Sequence, residues 1–228
     1  MKLVYYSKSR VYMIRSSYMG MINYSYIIID DSTGKVGIID PSWNTSDLEL
    51  FLLNTDYKLD AVLLTHSHMD HVCGVDRLIA EYDASVYISA EEARYYDYRC
   101  TGQSVFRDNE TIILGSLEIN CLVTPGHTKG STCYLVDGAL FTGDTLFIEG
   151  CGICFGDGAD PYEMYRSVQR LKGLDEDIKV FPAHSYGSSF GKTIRELYKS
   201  NIYFSIERMD QFVAFRQRAN QNNIFDFK

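Results

Sequence analysis

The sequence predicts a layered α/β sandwich, and three observations predict it. Strand-like runs fall in two groups, one between residues 22 and 89 and one between 111 and 183. Helical-period segments lie among and after them. At 228 residues and 46% hydrophobic content, the chain holds enough apolar material for a substantial core. No linker, repeat or low-complexity tract interrupts it, and only four prolines occur. A single domain over 1–228 is therefore expected, with 192–228 as a short helical extension.

In chain order, INYSYIII (22–29) and KVGIID (35–40) read as strands joined by the turn residues DDSTG (30–34). TSDLELFLLNT (45–55) opens on cap residues and continues with helical apolar spacing. AVLLT (61–65) has the fully apolar character of a buried strand and stops at HSHMDH. VDRLIAEY (75–82) reads as helix, SVYIS (85–89) as strand and AEEARYYDY (90–98) as helix. The second strand group is TIIL (111–114), LEINCLVT (117–124), STCYLVD (131–137) and ALFTG (139–143). PYEMYRSVQRLK (161–172) is an amphipathic helix whose proline suits the first turn. IKVFPA (178–183) is a last strand, and the remainder reads as mostly helical.

Composition narrows the function. A net charge of -8 argues against nucleic acid as partner. No apolar run reaches bilayer length and the N-terminal segment lacks the features of a secretory signal, so no membrane association is expected. The six cysteines are then read as reduced thiols, and a cytoplasmic location follows as an expectation. Charge is uneven: residues 1–191 carry 15 Lys/Arg against 26 Asp/Glu, whereas 192–228 carry 7 against 4. That basic stretch is either a solvated face or an anion-docking surface.

All five histidines follow strand-like runs: His66, His68 and His71 in HSHMDH, His127 in TPGH, and His184 in PAH. A fourth such place supplies Asp144 in TGD. Strand ends fix the backbone while the loops beyond turn side chains toward one point. His66 and His68, two apart, share one side of an extended segment, and Asp70 and His71 follow after a turn. Imidazoles with carboxylates suit Zn²⁺, and also Fe or Mn. Seven such groups exceed the needs of one tetrahedral ion and divide over two, with Asp144 able to bridge. By chance, H-x-H-x-D-H arises on the order of once in several thousand sequences of this composition. For His127, Asp144 and His184 the local string alone decides nothing.

Thr65–His71 resembles the T-H-x-H-x-D-H signature of the metallo-β-lactamase superfamily, and TPGHTKGS (124–131), FTGDTLF (141–147) and FPAHS (181–185) resemble its later motifs in order. The resemblance implies an αββα sandwich. It implies His66, His68 and His127 on a first metal, Asp70, His71 and His184 on a second, and Asp144 bridging, with Asp70 also orienting the attacking water. GDTLF-x-x-GCG (143–152) and the D-P-x-x-M-Y-x-S helix (160–167) are similar to the thioester-cleaving glyoxalase II branch. NYSYIIID (23–30), DPSW (40–43), THSHMDHVCGVDRL (65–78) and NIYFSIERMDQFVAFRQR (201–218) are closer to zinc-dependent hydrolases encoded with polyketide synthases, which are thought to act on acyl carrier proteins. Departures from glyoxalase II weaken a glutathione substrate: Ile153 replaces a basic residue and AHSYG (183–187) replaces GHEYT.

The expectation is a thioesterase carrying two Zn²⁺ ions, acting on acyl carrier protein or small acyl-thioester substrates. Phe147, Phe155 and Tyr186 are candidates for lining the substrate channel, and Lys192, Arg195, Lys199, Arg208, Arg216 and Arg218 for docking an acidic carrier. Alternatives are a hydroxyacylglutathione hydrolase, a persulfide dioxygenase with one iron at His66, His127 and Asp144, and a non-enzymatic metal-binding module. Cys151-Gly-Ile-Cys154 lacks the context of a redox motif or a complete zinc site. Cys73 is read as packing.

Overall fold

The computed structural model describes residues 1–219, 221 and 225–228; positions 220 and 222–224 of the expected extension lie outside the described residues. Seven strands form the first sheet in sequential order: β1 (Lys2–Tyr6), β2 (Arg10–Tyr18), β3 (Met21–Asp30), β4 (Lys35–Ile39), β5 (Lys58–Leu63), β6 (Ser85–Ser89) and β7 (Gln103–Phe106). Hairpin connections make β1 to β4 antiparallel, and crossovers make β4 to β7 parallel. The second sheet contains β8 (Thr111–Leu114), β9 (Leu117–Val123), β10 (Thr132–Val136), β11 (Ala139–Gly143), β12 (Lys179–Pro182) and the short β13 (Lys192–Thr193).

The sheets pack face to face because residues of alternating parity on each strand turn to opposite sides. Tyr26, Ile28, Ile39, Ala61 and Leu63 meet Leu114, Ile119, Tyr134, Phe141 and Phe181 in the central core. Their neighbours Ile27, Ile29, Val36, Ile38 and Val62 point the other way, onto α1 (Ser46–Leu53), α3 (Val75–Glu81) and α4 (Ala90–Tyr95). Strands buried on both faces carry unbroken apolar runs, as at 27–29 and 61–64. The second sheet carries α5 (Pro161–Lys172), α6 (Ile194–Ser200), α7 (Ile202–Ser205) and α8 (Met209–Arg216) on its outer face, through Met164, Val168, Leu171, Leu197, Phe204 and Phe212. Four layers result, helix, sheet, sheet, helix, as expected. Asp160 caps α5 by accepting from the backbone N–H of Tyr162 at 2.8 Å, with Pro161 in the first turn.

Two strands at the start, β1 and β2, were absent from the expectation, as were β7 and the two-residue β13, which opens the stretch expected to be helical. No described helix is long and apolar enough to cross a membrane. All six cysteines are free.

Hydrogen bonds join the sheets at the edge where β5, β11 and β12 end. There Tyr134 Oη donates to the Leu64 carbonyl at 2.7 Å, the Thr132 N–H to the Thr65 carbonyl at 2.9 Å and Tyr26 Oη to the Pro182 carbonyl at 2.6 Å. The loops beyond β5, β9, β11 and β12 leave from that edge, so side chains from both sheets converge on it.

Candidate metal centre

The loop after β5 carries His66, His68, Asp70 and His71, the last two on the one-turn helix α2 (Met69–Val72). His127 comes from the loop after β9, Asp144 directly from the end of β11 and His184 from the end of β12. All seven expected residues are brought together. His66, His68 and His127 present ring nitrogens to one point, with His68 Nδ1 at 3.0 Å from both His66 Nε2 and His127 Nε2. Asp70, His71 and His184 form a second group, with Asp70 Oδ2 at 3.4 Å from His71 Nε2 and 3.5 Å from His184 Nε2. Asp144 stands between them and divides its oxygens. Its Oδ2 lies 3.5 Å from His127 Nε2, while Oδ1 lies 3.4 Å from His184 Nε2 and 3.6 Å from His71 Nε2.

The far sides of four of the five rings are anchored, which selects the nitrogen that faces inward. His127 Nδ1 donates to the Ile153 carbonyl at 2.9 Å and His184 Nδ1 to the Ile22 carbonyl at 2.6 Å. His71 Nδ1 lies 2.9 Å from Asp40 Oδ2. His66 Nδ1 lies 3.0 Å from Thr65 Oγ1, which itself donates to Asp40 Oδ2 at 2.7 Å. Asp70 is steadied by Asn23 Nδ2, which donates to Oδ2 at 2.9 Å.

The donor set fits metal ions on an observation independent of any name. His71 Nε2 and Asp144 Oδ1 are buried and have no hydrogen-bond partner among the described residues. A buried polar atom left so costs free energy unless something else satisfies it. Electrostatics agree. Burial pushes His66 and His127 toward the neutral form that ligates, His127 down to about 4. Burial works against a charged His71, yet Asp70, Asp40 and Asp144 raise its pKa well above the ordinary value. Burial likewise works against an ionised Asp70, but His71 and the hydrogen bonds of His184 and Asn23 hold its carboxyl well below the usual range. Excess negative charge around buried nitrogens is the field that a cation neutralises.

Two glycines make room. Gly143 sits at φ +48°, where a Cβ would fall 2.4 Å from Thr65 Oγ1, and at Gly152 a Cβ would fall 1.9 Å from the Asp144 carbonyl oxygen.

Sequence reasoning missed Asp40 and Glu92. Glu92, on α4 and buried, accepts from Ser67 N (2.9 Å) and Oγ (2.8 Å) through one oxygen. Its other oxygen accepts from Thr128 Oγ1 (2.8 Å) and Gly130 N (2.9 Å). One carboxylate thus ties the loop of His66 and His68 to the loop of His127. The run AEEARYYDY gave no sign of it beyond an acidic pair at a helix start.

Beside these seven side chains lies a pocket of about 450 Å³, counted out to its open mouth and walled by Met21, Phe147, Ile153, Tyr186, Phe225 and Phe227. Phe147 and Tyr186, two of the three expected channel residues, line this pocket. Phe155 does not: it is 57% exposed and belongs to a neighbouring groove beside Arg216 and Arg218, because the chain turns outward after the buried Cys154. Phe227 stacks on the His184 ring (centroids 4.0 Å apart, planes 14° apart), and the Lys228 N–H donates to the Ser185 carbonyl at 2.8 Å. Nothing near 225–228 in sequence predicted this return to the centre.

Of the expected docking residues, Arg195 pairs with Glu176 and Asp177, and Arg208 with Asp210. Arg216 is buried rather than presented to solvent. Burial pushes the Cys151 thiol up to about 11 and Cys154 higher still, the opposite of a reactive pair.

The family described as the Metallo-beta-lactamase superfamily matches residues 19–184. "Probable polyketide biosynthesis zinc-dependent hydrolase PksB" of Bacillus subtilis (strain 168) is 46% identical over 220 residues, covering 96% of this chain and 98% of that protein. BaeB of Bacillus velezensis (strain DSM 23117 / BGSC 10A6 / LMG 26770 / FZB42), named in the same words, is 41% identical over 219 residues, covering 96% and 97%. Among solved structures, a metallo-beta-lactamase from Staphylococcus aureus subsp. aureus COL superposes with a TM-score of 0.82 at 23% identity, covering 94% of this chain and 68% of that one. That likeness is one of fold.

Proposed function

The chain belongs to the metallo-beta-lactamase superfamily, and from that premise we propose that it is a zinc-dependent thioester hydrolase of polyketide biosynthesis, releasing acyl groups from acyl carrier proteins. One observation carries the hydrolase reading: two three-residue donor groups, His66/His68/His127 and Asp70/His71/His184, flank an aspartate that turns one oxygen to each. Those residues would hold two Zn²⁺ ions. When bound, such ions supply a water whose pKa falls to about 7 and positive charge for a developing oxyanion.

The chain's own residues do the rest. Asp70, kept ionised and held by Asn23, accepts a hydrogen bond from the attacking water and orients it. Phe147, Ile153 and Phe227 exclude bulk solvent around the acyl carbonyl. A thiolate is a stable leaving group and departs without a strong general acid. The polyketide and zinc assignment is supported by the names of the two Bacillus relatives, and the carrier assignment by the motifs shared with that group.

A mass-spectrometric screen tests the reading, with one acyl group presented on acyl carrier protein, coenzyme A and glutathione. Preferred release from the carrier is expected. Turnover of the glutathione thioester alone would make the protein a hydroxyacylglutathione hydrolase. Oxygen consumption with one iron per chain would make it a persulfide dioxygenase.

A further inference from the structure

A second groove adjoins the metal pocket and shares Tyr186 with it. Glu149, Tyr203, Arg216, Arg218 and Gln221 line it, and a further hollow beside Cys154 continues along the same two arginines. Neither arginine forms an ion pair among the described residues, although their neighbours in the basic segment, Arg195 and Arg208, both do.

The two guanidiniums are held in place by uncharged partners. Arg216 is only 6% exposed, donates to the Cys151 carbonyl at 3.1 Å and to Gln221 Oε1 at 2.6 Å, and lies over the Tyr203 ring. Its Nε has no hydrogen-bond partner among the described residues. Arg218 is exposed, stacks 4.0 Å from the Phe215 ring centroid and reaches Tyr203 Oη at 3.5 Å. Burying a guanidinium without a counter-charge is costly unless an anion arrives to accompany it. Glu149 supplies one negative charge at the groove, but its Oε1 accepts from the Ser188 N–H at 2.7 Å and it pairs with neither arginine. The groove keeps an excess of positive charge.

Resting on the thioesterase reading above, we infer that this groove is a phosphate subsite for the thiol half of the substrate: Arg218, backed by Arg216, takes the phosphate of a phosphopantetheine arm whose thioester lies at the metal pocket. Guanidinium groups already oriented by stacking and hydrogen bonds suit a tetrahedral oxyanion. The Tyr186 ring forms the shared wall along which the uncharged part of the arm runs. Carrier-linked phosphopantetheine and coenzyme A present the same phosphate, so the subsite serves both.

The test uses the metal-loaded full chain and the exposed-residue variant Arg218→Gln, with one acyl group on 4′-phosphopantetheine and on pantetheine lacking the phosphate. The variant is expected to lose about tenfold in kcat/KM on the first and to keep its rate on the second. Equal losses on both esters, or none on either, overturn the proposal. So does a loss confined to glutathione thioesters, which would assign the groove to a carboxylate. Running carrier-linked and coenzyme A esters in parallel identifies the source: loss on both marks the common phosphate, and loss on the carrier alone marks protein docking and overturns it. Calorimetric binding of free 4′-phosphopantetheine, weakened by Arg218→Gln and by Arg216→Lys, reads the subsite without turnover. Binding that persists where no thioester is cleaved would leave the subsite standing and reject the hydrolase reading.

Discussion

Asp40 shows how one side chain sets the chemistry of several others. It lies at φ +48°, a region that Asp and Asn tolerate better than most residues. From there Oδ1 accepts from the Thr65 N–H at 2.8 Å, and Oδ2 accepts from Thr65 Oγ1 and His71 Nδ1. The imidazoles of His66 and His71 are therefore both oriented through it. Asp40→Asn keeps the backbone tolerance and the size but replaces one acceptor oxygen with a donor. We expect the variant to fold and to bind zinc about 10–100-fold more weakly, as loss of a partner behind a ligating histidine typically does. Competition against a chromophoric chelator measures this. Unchanged affinity for both equivalents would mean that the ring of His71 is held by packing alone.

Among elements, the β3–β4 hairpin is joined to the β8–β9 turn by Asp30. Its carboxylate accepts from Ser32 N (2.9 Å) and Oγ (2.7 Å), Thr33 Oγ1 (2.7 Å) and Ser116 N (2.6 Å), so a turn of one sheet is fastened to a turn of the other. Although burial opposes ionisation, these donors hold its pKa well below the ordinary carboxylate range. The sign follows: the folded form prefers the ionised group, so the stabilisation is complete above the unfolded pKa of about 4 and fades as pH falls through the lower folded value. Asp30→Asn should cost about 1–3 kcal/mol at pH 7. In urea titrations the gap from the parent protein should narrow below pH 4. A gap independent of pH would assign the loss to shape rather than charge.

Elements such as these also mark what was legible in the sequence. Strands β3 and β5 could be read because both faces are buried toward their ends, which leaves the apolar runs 27–29 and 61–63. By contrast β2 buries Val11, Ile14 and Ser16 among arginines and serines, and β7 is a four-residue edge strand, so neither carries a pattern of its own. Of the candidate metal ligands, those in HSHMDH were legible from their own string, whereas His127, Asp144 and His184 were legible only through the family resemblance. Asp40 and Glu92 were not, since acidic residues are common on surfaces and only the fold shows that these two are buried. The carbonyls of Ile22 and Ile153 could never be read, because a backbone acceptor is independent of the side chain. Phe227 lay beyond any local signal: its neighbour in space is His184, and its own segment has no periodicity.

For the whole molecule, the centre lies where the two halves of the sandwich meet. His66, His68, Asp70 and His71 belong to the first sheet, and His127, Asp144 and His184 to the second. Ions held there would join the sheets as a cross-link, and only the folded chain assembles the full donor set. Binding to the folded state alone stabilises it by RT ln(1 + [L]/Kd), about 4 kcal/mol at a thousandfold excess over Kd. For a chain of this length, each kcal/mol moves Tm by about 2–4 °C. Zinc-loaded protein is therefore expected to melt about 8–16 °C above the chelated form. Replacing His68 and His184 together with alanine removes a donor from each group, one on either sheet, and should abolish most of that difference. Coincident melting of loaded and chelated parent protein would show that these seven side chains do not close around metal, and the hydrolase assignment would fall with that result.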